Sequence, residues 1–368
     1  LNDRNIKRFG LNFLNENNWD VECWNLFYLD KTNQDNEKFK NLKFKYKKFF
    51  NIKDFISAGL NIKKSFYYID FVGISFVLGQ LFLSIKGGKR IAADFGLLPS
   101  IPTYVFYNNF TRYKILNVLL AIIYKIQKKI MSVFLPIPYF FFSSGKLGKD
   151  LAIKRKNPTI IEAHNLDYDN YLELNEQLNV NIENNYILYI DQYFENSIDL
   201  KMDKLKFNEI DRFKKKLINF FNFCKEKYNY DTVIAANPRR YNENNCFFPY
   251  KLVFNETHDL IRNSKIVLAH NSTAIQIAIL FNKPIILLTS EELLEIPQIH
   301  KQIEAFSEEL NIKTLKLENY NNLDFKHYFL DKSRYYGKYI EKYIKSKSSK
   351  NKKFWEILNS NLKKKHIN

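Results

Sequence analysis

The residues best suited by type and spacing to do chemistry lie between two apolar runs in the second half of the chain. The β-branched run Ile266 to Ala269 has the pattern of a buried strand. Four polar residues follow it directly: His270, Asn271, Ser272 and Thr273. Residues 274–281 then have the pattern of a helix with Ser272 or Thr273 as its N-cap, and residues 285–288 form the next strand. This βαβ unit offers N–H groups, hydroxyls and a helix dipole to an anion, most often a phosphate, although a capped helix alone would look the same.

Two other strands of the same half also end in polar residues. Asp191 and Gln192 follow the run Tyr186 to Ile190. The run Thr232 to Ala236 is followed by four further candidates: Asn237, Pro238, Arg239 and Arg240. Because open α/β sheets bind ligands at the carboxyl ends of their strands, we expect these groups at one sheet edge. A guanidinium can hold a phosphate or carboxylate through two hydrogen bonds, and we expect one of the two arginines to do so.

The first half offers carboxylates after a strand. The run Thr159 to Ala163 leads into His164, Asp167 and Asp169, in which a carboxylate could act as a general base or simply cap the following helix. Gly145 and Lys146 follow an aromatic strand at residues 139–142, but they lack the spacing of a phosphate-binding loop. No set of residues in the sequence predicts a metal site.

The remaining patterns organise these groups into an α/β chain. We expect an N-terminal Rossmann-like domain at 1–180, a C-terminal nucleotide-binding domain at 181–330, and a basic helical tail at 331–368 that packs back towards the first domain. Residues 5–17 have the pattern of an amphipathic helix, and we expect a strand to precede it.

The composition indicates an acidic partner. The formal net charge is +18, which suits a phosphorylated substrate or anionic lipid; nucleic acid is not expected, because no recognition motif accompanies the lysines. Three scattered cysteines and the lack of a signal-peptide pattern predict a cytoplasmic protein, with a peripheral position on the inner face of the inner membrane as an open alternative.

The stretch 115–142 is apolar but interrupted by Lys125, Lys128 and Lys129, so it is not a spanning helix. Two readings stay open: an amphipathic helix packed into the core, or one lying on a membrane surface.

Taken in order, the motifs resemble those of GT-B glycosyltransferases of bacterial surface-glycan synthesis, and most closely the sialyltransferase-like and Kdo-transferase-like enzymes that use CMP-activated acidic sugars. Asp167 and Asp169 match that family's acidic motif, Asn237-Pro238 its His-Pro motif, and Ser272-Thr273 its donor-phosphate motif. The resemblance covers roughly residues 160–290. It departs at Asn237, because an asparagine cannot act as a general acid where the family has histidine.

The resemblance implies two Rossmann-like domains facing across a cleft, and transfer of a sialic-like or Kdo-like sugar from a CMP donor to a glycan or lipid-linked glycan. Asp169 would be the base, with Asp167 or Asp191 as alternatives and His270 as a substitute acid. The donor would be held by residues after the three strands: Gln192, Asn237, Pro238, Arg239, Arg240, His270, Asn271, Ser272 and Thr273. The acceptor would contact His164, Gly145 and Lys146, and no cofactor or metal would be needed. The alternatives are a pyruvyl or other non-glycosyl transferase on the same fold, and a catalytically silent protein that binds carbohydrate or a membrane surface.

Overall fold

A computed structural model describes residues 3–26, 42–62, 65–69, 71, 76–100, 126, 130, 132–153, 158–176, 185–197, 200, 207, 209–241, 243–330 and 332–366. The expected domain boundary near residue 180, the strand expected before residue 5 and most of the stretch 115–142 lie outside these residues.

The N-terminal half contains a four-stranded parallel sheet and a separate parallel pair of strands. Its elements are α1 (Asp3–Arg8), α2 (Leu11–Glu16), β1 (Glu22–Asn25), β2 (Lys45–Lys48), α3 (Ile52–Leu60), β3 (Phe66–Ile69), α4 (Val77–Ile85), β4 (Gly88–Ala93), β5 (Phe140–Ser144), α5 (Gly145–Ile153), β6 (Thr159–Ala163) and α6 (Leu166–Glu176). The pair is β1-β2, and the sheet has the order β3-β4-β5-β6. The single helix expected at 5–17 is divided at Gly10, which adopts φ +60° and whose Cβ, if present, would collide with the Trp355 ring.

The C-terminal half is a six-stranded parallel sheet with helices between its strands. Its elements are β7 (Tyr186–Ile190), α7 (Ile210–Tyr228), β8 (Asp231–Ala236), β9 (Lys251–Phe254), α8 (Thr257–Asn263), β10 (Ile266–Ala269), α9 (Ile275–Leu280), β11 (Ile285–Thr289), α10 (Glu291–Leu294), α11 (Pro297–Leu310) and β12 (Leu315–Lys316). The order β12-β11-β10-β7-β8-β9 places the first strand in the middle, as in a Rossmann sheet. The direction of winding therefore reverses between β7 and β10, and this is the switch point at which such sheets bind ligands.

The last elements connect the two halves. Helix α12 (Ser333–Tyr339) and the π-helical turn Ile340–Ile344 pack in the core of the six-stranded sheet through Tyr336, Tyr339 and Ile344. Helix α13 (Phe354–His366) instead packs in the core of the four-stranded sheet. Its side chains there are Phe354, Trp355, Ile357, Leu358 and Leu362.

The expected α/β class with two Rossmann-like domains is confirmed by this topology. Long apolar runs made the strands of the second half predictable, because strands buried on both faces have no polar alternation. No helix in the described ranges is both long enough and apolar enough to cross a bilayer.

Candidate functional site

The switch point carries a group of hydrogen-bond donors. The Gln192 side chain, after β7, accepts a hydrogen bond through Oε1 from the Asn271 N–H, after β10, at 3.1 Å. Ser272 is half-buried and Thr273 is exposed. Within the described ranges, the backbone N–H groups of Ser272 and Thr273 and the Gln192 side-chain amide have no protein acceptor. We call these three residues the switch-point donors, and together they suit an anion.

The helix after these donors differs from the expected one. Helix α9 has six residues and begins at Ile275, and its N-cap position is Ala274, which provides no side-chain cap. Ser272 Oγ instead accepts a hydrogen bond from the Ala274 N–H at 3.2 Å, within the preceding turn. The expectation that Ser272 or Thr273 caps the helix is therefore wrong, and the donors belong to a loop rather than to a helix terminus.

His270 is a core residue, which corrects its expected role as acid or donor ligand. Its side chain is fully buried, Nδ1 lies 2.8 Å from the Leu288 carbonyl oxygen and Nε2 lies 3.2 Å from the Tyr189 hydroxyl. Burial lowers its pKa to about 4, so that the ring is neutral at pH 7. With both ring nitrogens engaged inside the domain, His270 cannot contact a ligand at the sheet edge.

Asp191 and Arg240 form a buried ion pair. Arg240 Nε donates to Asp191 Oδ2 at 2.8 Å, and its Nη1 donates to Glu195 at 2.7 Å and to Glu243 at 3.0 Å. Asp191 also accepts hydrogen bonds from the backbone N–H groups of Tyr193 and Asn237. The carboxylate expected as an alternative base and the guanidinium expected on a phosphate are thus occupied by each other.

Asn237 and Pro238, which follow β8, form a turn, and Arg239 in the same turn is an exposed cation. The Asn237 side chain accepts a hydrogen bond from the Arg239 N–H at 3.1 Å, which fixes the turn that includes Pro238. Asn237 is therefore engaged locally. Arg239 is exposed, and no carboxylate in the described part of the chain lies within ion-pair distance of its guanidinium. Of the two arginines, only Arg239 is available to a ligand.

The two acidic residues in the first turn of α6 are Asp167 and Asp169. Asp169 Oδ1 accepts a hydrogen bond from the Phe354 N–H at 2.8 Å, where α13 begins. Burial raises the pKa of Asp169 to about 7. Asp167 lies near Tyr339, whose pKa is raised first by burial and also by the negative charge of Asp167. Asp169 therefore supports the tail, and Asp167 is half-buried on the same helix.

The residues expected to bind an acceptor are largely covered by the tail. His164 is fully buried, and its Nδ1 and Nε2 lie 2.9 Å and 2.7 Å from the carbonyl oxygens of Asn165 and Lys352. Gly145 adopts φ +79°, and a Cβ there would lie 2.7 Å from the Lys342 carbonyl oxygen. His164 and Gly145 are therefore not acceptor-binding residues, because the tail of the chain occupies the space beside them. Lys146 remains exposed.

A buried amide bridge that the sequence analysis missed brings the two halves together. Gln276, fully buried on α9, accepts a short hydrogen bond from Asn165 Nδ2. Its Nε2 donates to the Leu97 carbonyl oxygen at 2.7 Å, and Tyr339 Oη lies 3.5 Å away. Asn165 follows β6 and Gln276 lies in the unit after β10, so the carboxyl edges of the two sheets meet here. The sequence did contain a feature that predicts this bridge: Gln276 is the one polar residue in an otherwise apolar helix, and a buried polar side chain needs hydrogen-bond partners.

No three His, Cys, Asp or Glu side chains among the described residues form a group that could hold a metal ion. The arrangement is therefore a loop of donors after β10, an exposed guanidinium after β8, and the Asp167 carboxylate on the opposite half. The donors and the guanidinium can bind an anionic group.

Comparison with known proteins gives a general likeness of fold. No protein-family model matches the sequence, and no curated protein matches it. Similar solved structures include S. aureus MnaA with UDP (TM-score 0.45, 13% identity, 86% of this chain and 79% of that chain) and UDP-GlcNAc 2-epimerase from Neisseria meningitidis bound to UDP-GlcNAc (0.43, 16%, 84% and 80%). Another is spinosyn forosaminyltransferase SpnP (0.34, 8%, 86% and 74%). With TM-scores below 0.5, these likenesses say nothing about what this chain binds or catalyses.

Proposed function

We propose that the protein is a glycosyltransferase that binds a nucleotide-sugar donor at the switch point of its C-terminal sheet. The observation that carries the proposal is the group of donors without protein acceptors, Gln192, Ser272 and Thr273, beside the contact between the two halves. Parallel α/β sheets bind phosphates at such points through loop N–H groups and hydroxyls.

In the proposed reaction, Asp167 takes the proton of the acceptor hydroxyl as its oxygen attacks the anomeric carbon. The bond from that carbon to the phosphate oxygen breaks, and its electron pair leaves with the phosphate. The switch-point donors and Arg239 stabilise the departing charge. Asp169 is set aside as the base because it accepts the Phe354 N–H beneath the tail. Asp167 is the other carboxylate of the motif on α6 that resembles the family's acidic motif.

The proposed donor is a CMP-linked acidic sugar, and this finer assignment is supported by the motif resemblance alone. The leaving phosphate oxygen of a nucleoside monophosphate is stable as an anion, so it does not need a proton from a general acid. The reaction therefore tolerates asparagine at position 237 and a buried His270.

Calorimetry with CMP, UDP and GDP tests the proposal. We expect one nucleotide to bind. The Ser272→Ala/Thr273→Ala variant should bind it about 100-fold more weakly, because the hydrogen bonds from two hydroxyls to a charged group are lost while the backbone N–H groups remain. Thr257→Ala is the matched control, since Thr257 begins the helix after β9 on the same sheet edge, two strands from β7. It should bind like the wild type.

The chemical step is tested separately with Asp167→Asn, which should abolish transfer and leave nucleotide affinity unchanged. Wild-type protein that binds none of the three nucleotides at millimolar concentration would contradict the proposal and favour a silent binding protein. Binding with product masses that show a non-glycosyl group would favour the other transferase class.

A further inference from the structure

One tyrosine at the carboxyl edge of the six-stranded sheet differs from the others. Tyr241 is 72% exposed, whereas every other tyrosine that the structure describes is buried or half-buried. A tyrosine ring is large and apolar, and in a folded protein most of it is usually covered. The reaction proposed above assigns Tyr241 no role.

The Tyr241 ring is held at this edge by a contact with the end of β9. Phe254 is the last residue of β9 and pairs with Ala236, the last residue of β8. The rings of Tyr241 and Phe254 meet edge to face, with their centroids 5.5 Å apart and their planes at 74°. Aromatic pairs prefer this arrangement. The contact therefore fixes the position of the Tyr241 ring and still leaves most of the side chain in solvent.

The turn that carries Tyr241 is anchored from inside the domain. The preceding residue, Arg240, is buried and bonded to Asp191, which also accepts a hydrogen bond from the Asn237 N–H at 3.2 Å. The Tyr241 N–H donates to the Pro238 carbonyl oxygen at 3.4 Å. A ligand that stacks on a ring with an anchored backbone pays little for ordering it, so the arrangement is suited to binding.

The strand order sets the distance between Tyr241 and the switch-point donors. Those donors follow β7 and β10, whereas Tyr241 follows β8 and contacts the end of β9. The two places are two strand spacings apart along the same edge, and neighbouring strands lie about 4.8 Å from each other, so the separation is roughly 10 Å. In a nucleotide, one ribose separates the phosphate from the base, and the two ends lie a comparable distance apart.

We propose that Tyr241 is the platform on which the base of the bound nucleotide stacks. The assignment rests on the proposed function, because it takes the phosphate to lie at the switch-point donors. With the phosphate there, the ribose passes the end of β8 and the base reaches the Tyr241 ring. Every nucleobase has a flat π face, and loss of one stacking contact with an aromatic side chain weakens binding about tenfold or more. Tyr241 therefore distinguishes a nucleotide from a sugar phosphate that has no base.

Calorimetric titration with two kinds of ligand separates the contact to the base from the contact to the phosphate. The ligands are the nucleotides CMP, UDP and GDP, and ribose 5-phosphate, which has the sugar and the phosphate but no base. Tyr241→Ala should weaken nucleotide binding about tenfold or more and leave the affinity for ribose 5-phosphate unchanged. Tyr241→Phe should bind the nucleotide as the wild type does, because stacking needs the ring and not the hydroxyl. Arg239→Ala should weaken both kinds of ligand by a similar factor, because it removes a contact to the phosphate.

Phe329→Ala is the matched control, because Phe329 is an exposed aromatic residue at the opposite edge of the same sheet, next to Tyr328, whose hydroxyl donates to the Lys313 carbonyl oxygen just before β12. It should bind both kinds of ligand like the wild type, and thermal melting should show all variants folded. Two results would overturn the role of Tyr241 and leave the proposed function intact: unchanged nucleotide affinity in Tyr241→Ala, or equal losses for the nucleotide and ribose 5-phosphate. Wild-type protein that binds none of the three nucleotides would overturn both.

Discussion

Two adjacent arginines should respond to the same substitution in opposite ways. Arg240 is 1% exposed and its guanidinium is bonded to Asp191, Glu195 and Glu243, whereas Arg239 is exposed. Replacing Arg240 with alanine would leave the Asp191 carboxylate buried without its cation.

The size of this effect follows from the burial of the pair. Removing one partner of a buried ion pair destabilises a protein by about 3–5 kcal/mol. For a domain of roughly 150 residues, each kcal/mol lowers the melting temperature by about 2–4 °C, so Arg240→Ala should lower it by about 12 °C. Arg239→Ala should change stability by less than about 0.5 kcal/mol, as expected for an exposed side chain.

Calorimetric melting of the two variants measures the difference in stability. Nucleotide titration of the same samples measures the difference in nucleotide affinity. We expect Arg239→Ala to weaken nucleotide binding while the fold stays intact. Asp191→Asn/Arg240→Met removes both charges and should recover part of the lost stability. If Arg240→Ala melted within about 2 °C of Arg239→Ala, the pair would not be the stabilising centre that its burial implies.

Three further outcomes follow from buried groups. Gln276→Leu should lower the free energy of unfolding by about 2–4 kcal/mol in denaturant titration, because it leaves the half-buried Leu97 carbonyl and the buried Asn165 amide without partners. Unchanged stability would refute the bridge. Burial raises the pKa of Asp169 to about 7, so folding takes up a proton, and the stability of the wild type should fall as pH rises from about 4 to 7. In thermal melting, Asp169→Asn should therefore be more stable than the wild type at pH 8 and as stable as the wild type near pH 4. The reverse order would contradict this. Burial raises the pKa of Cys224 to about 12, so that thiol should react with a disulfide reagent only after unfolding, and rapid labelling of all three cysteines would contradict it.

The sequence predicts the strands well and the site in part. Apolar runs such as Tyr186 to Ile190 have the pattern of buried strands, and their parallel order brings Gln192 and Asn271 into hydrogen-bond contact. The direction of a side chain just beyond a strand cannot be predicted from composition, because it depends on the turn that follows. His270 therefore turned into the core, and Arg240 rather than Arg239 was buried.

The tail explains the other differences. No local pattern indicates that residues more than 150 positions away will cover Gly145 and His164, since such contacts depend on the whole fold. The same contacts occupy Asp169, where α13 begins.

The packing of α13 has a consequence for the order of folding. The sheet that ends with β6 at Ala163 lacks part of its core until Phe354 and Trp355 have been synthesised, roughly 190 residues later. At about 5–20 residues per second, the ribosome adds that length in about 10–40 seconds. The half of the protein that is made first should therefore mature last, and a nascent-chain protease assay should find it sensitive until α13 leaves the exit tunnel.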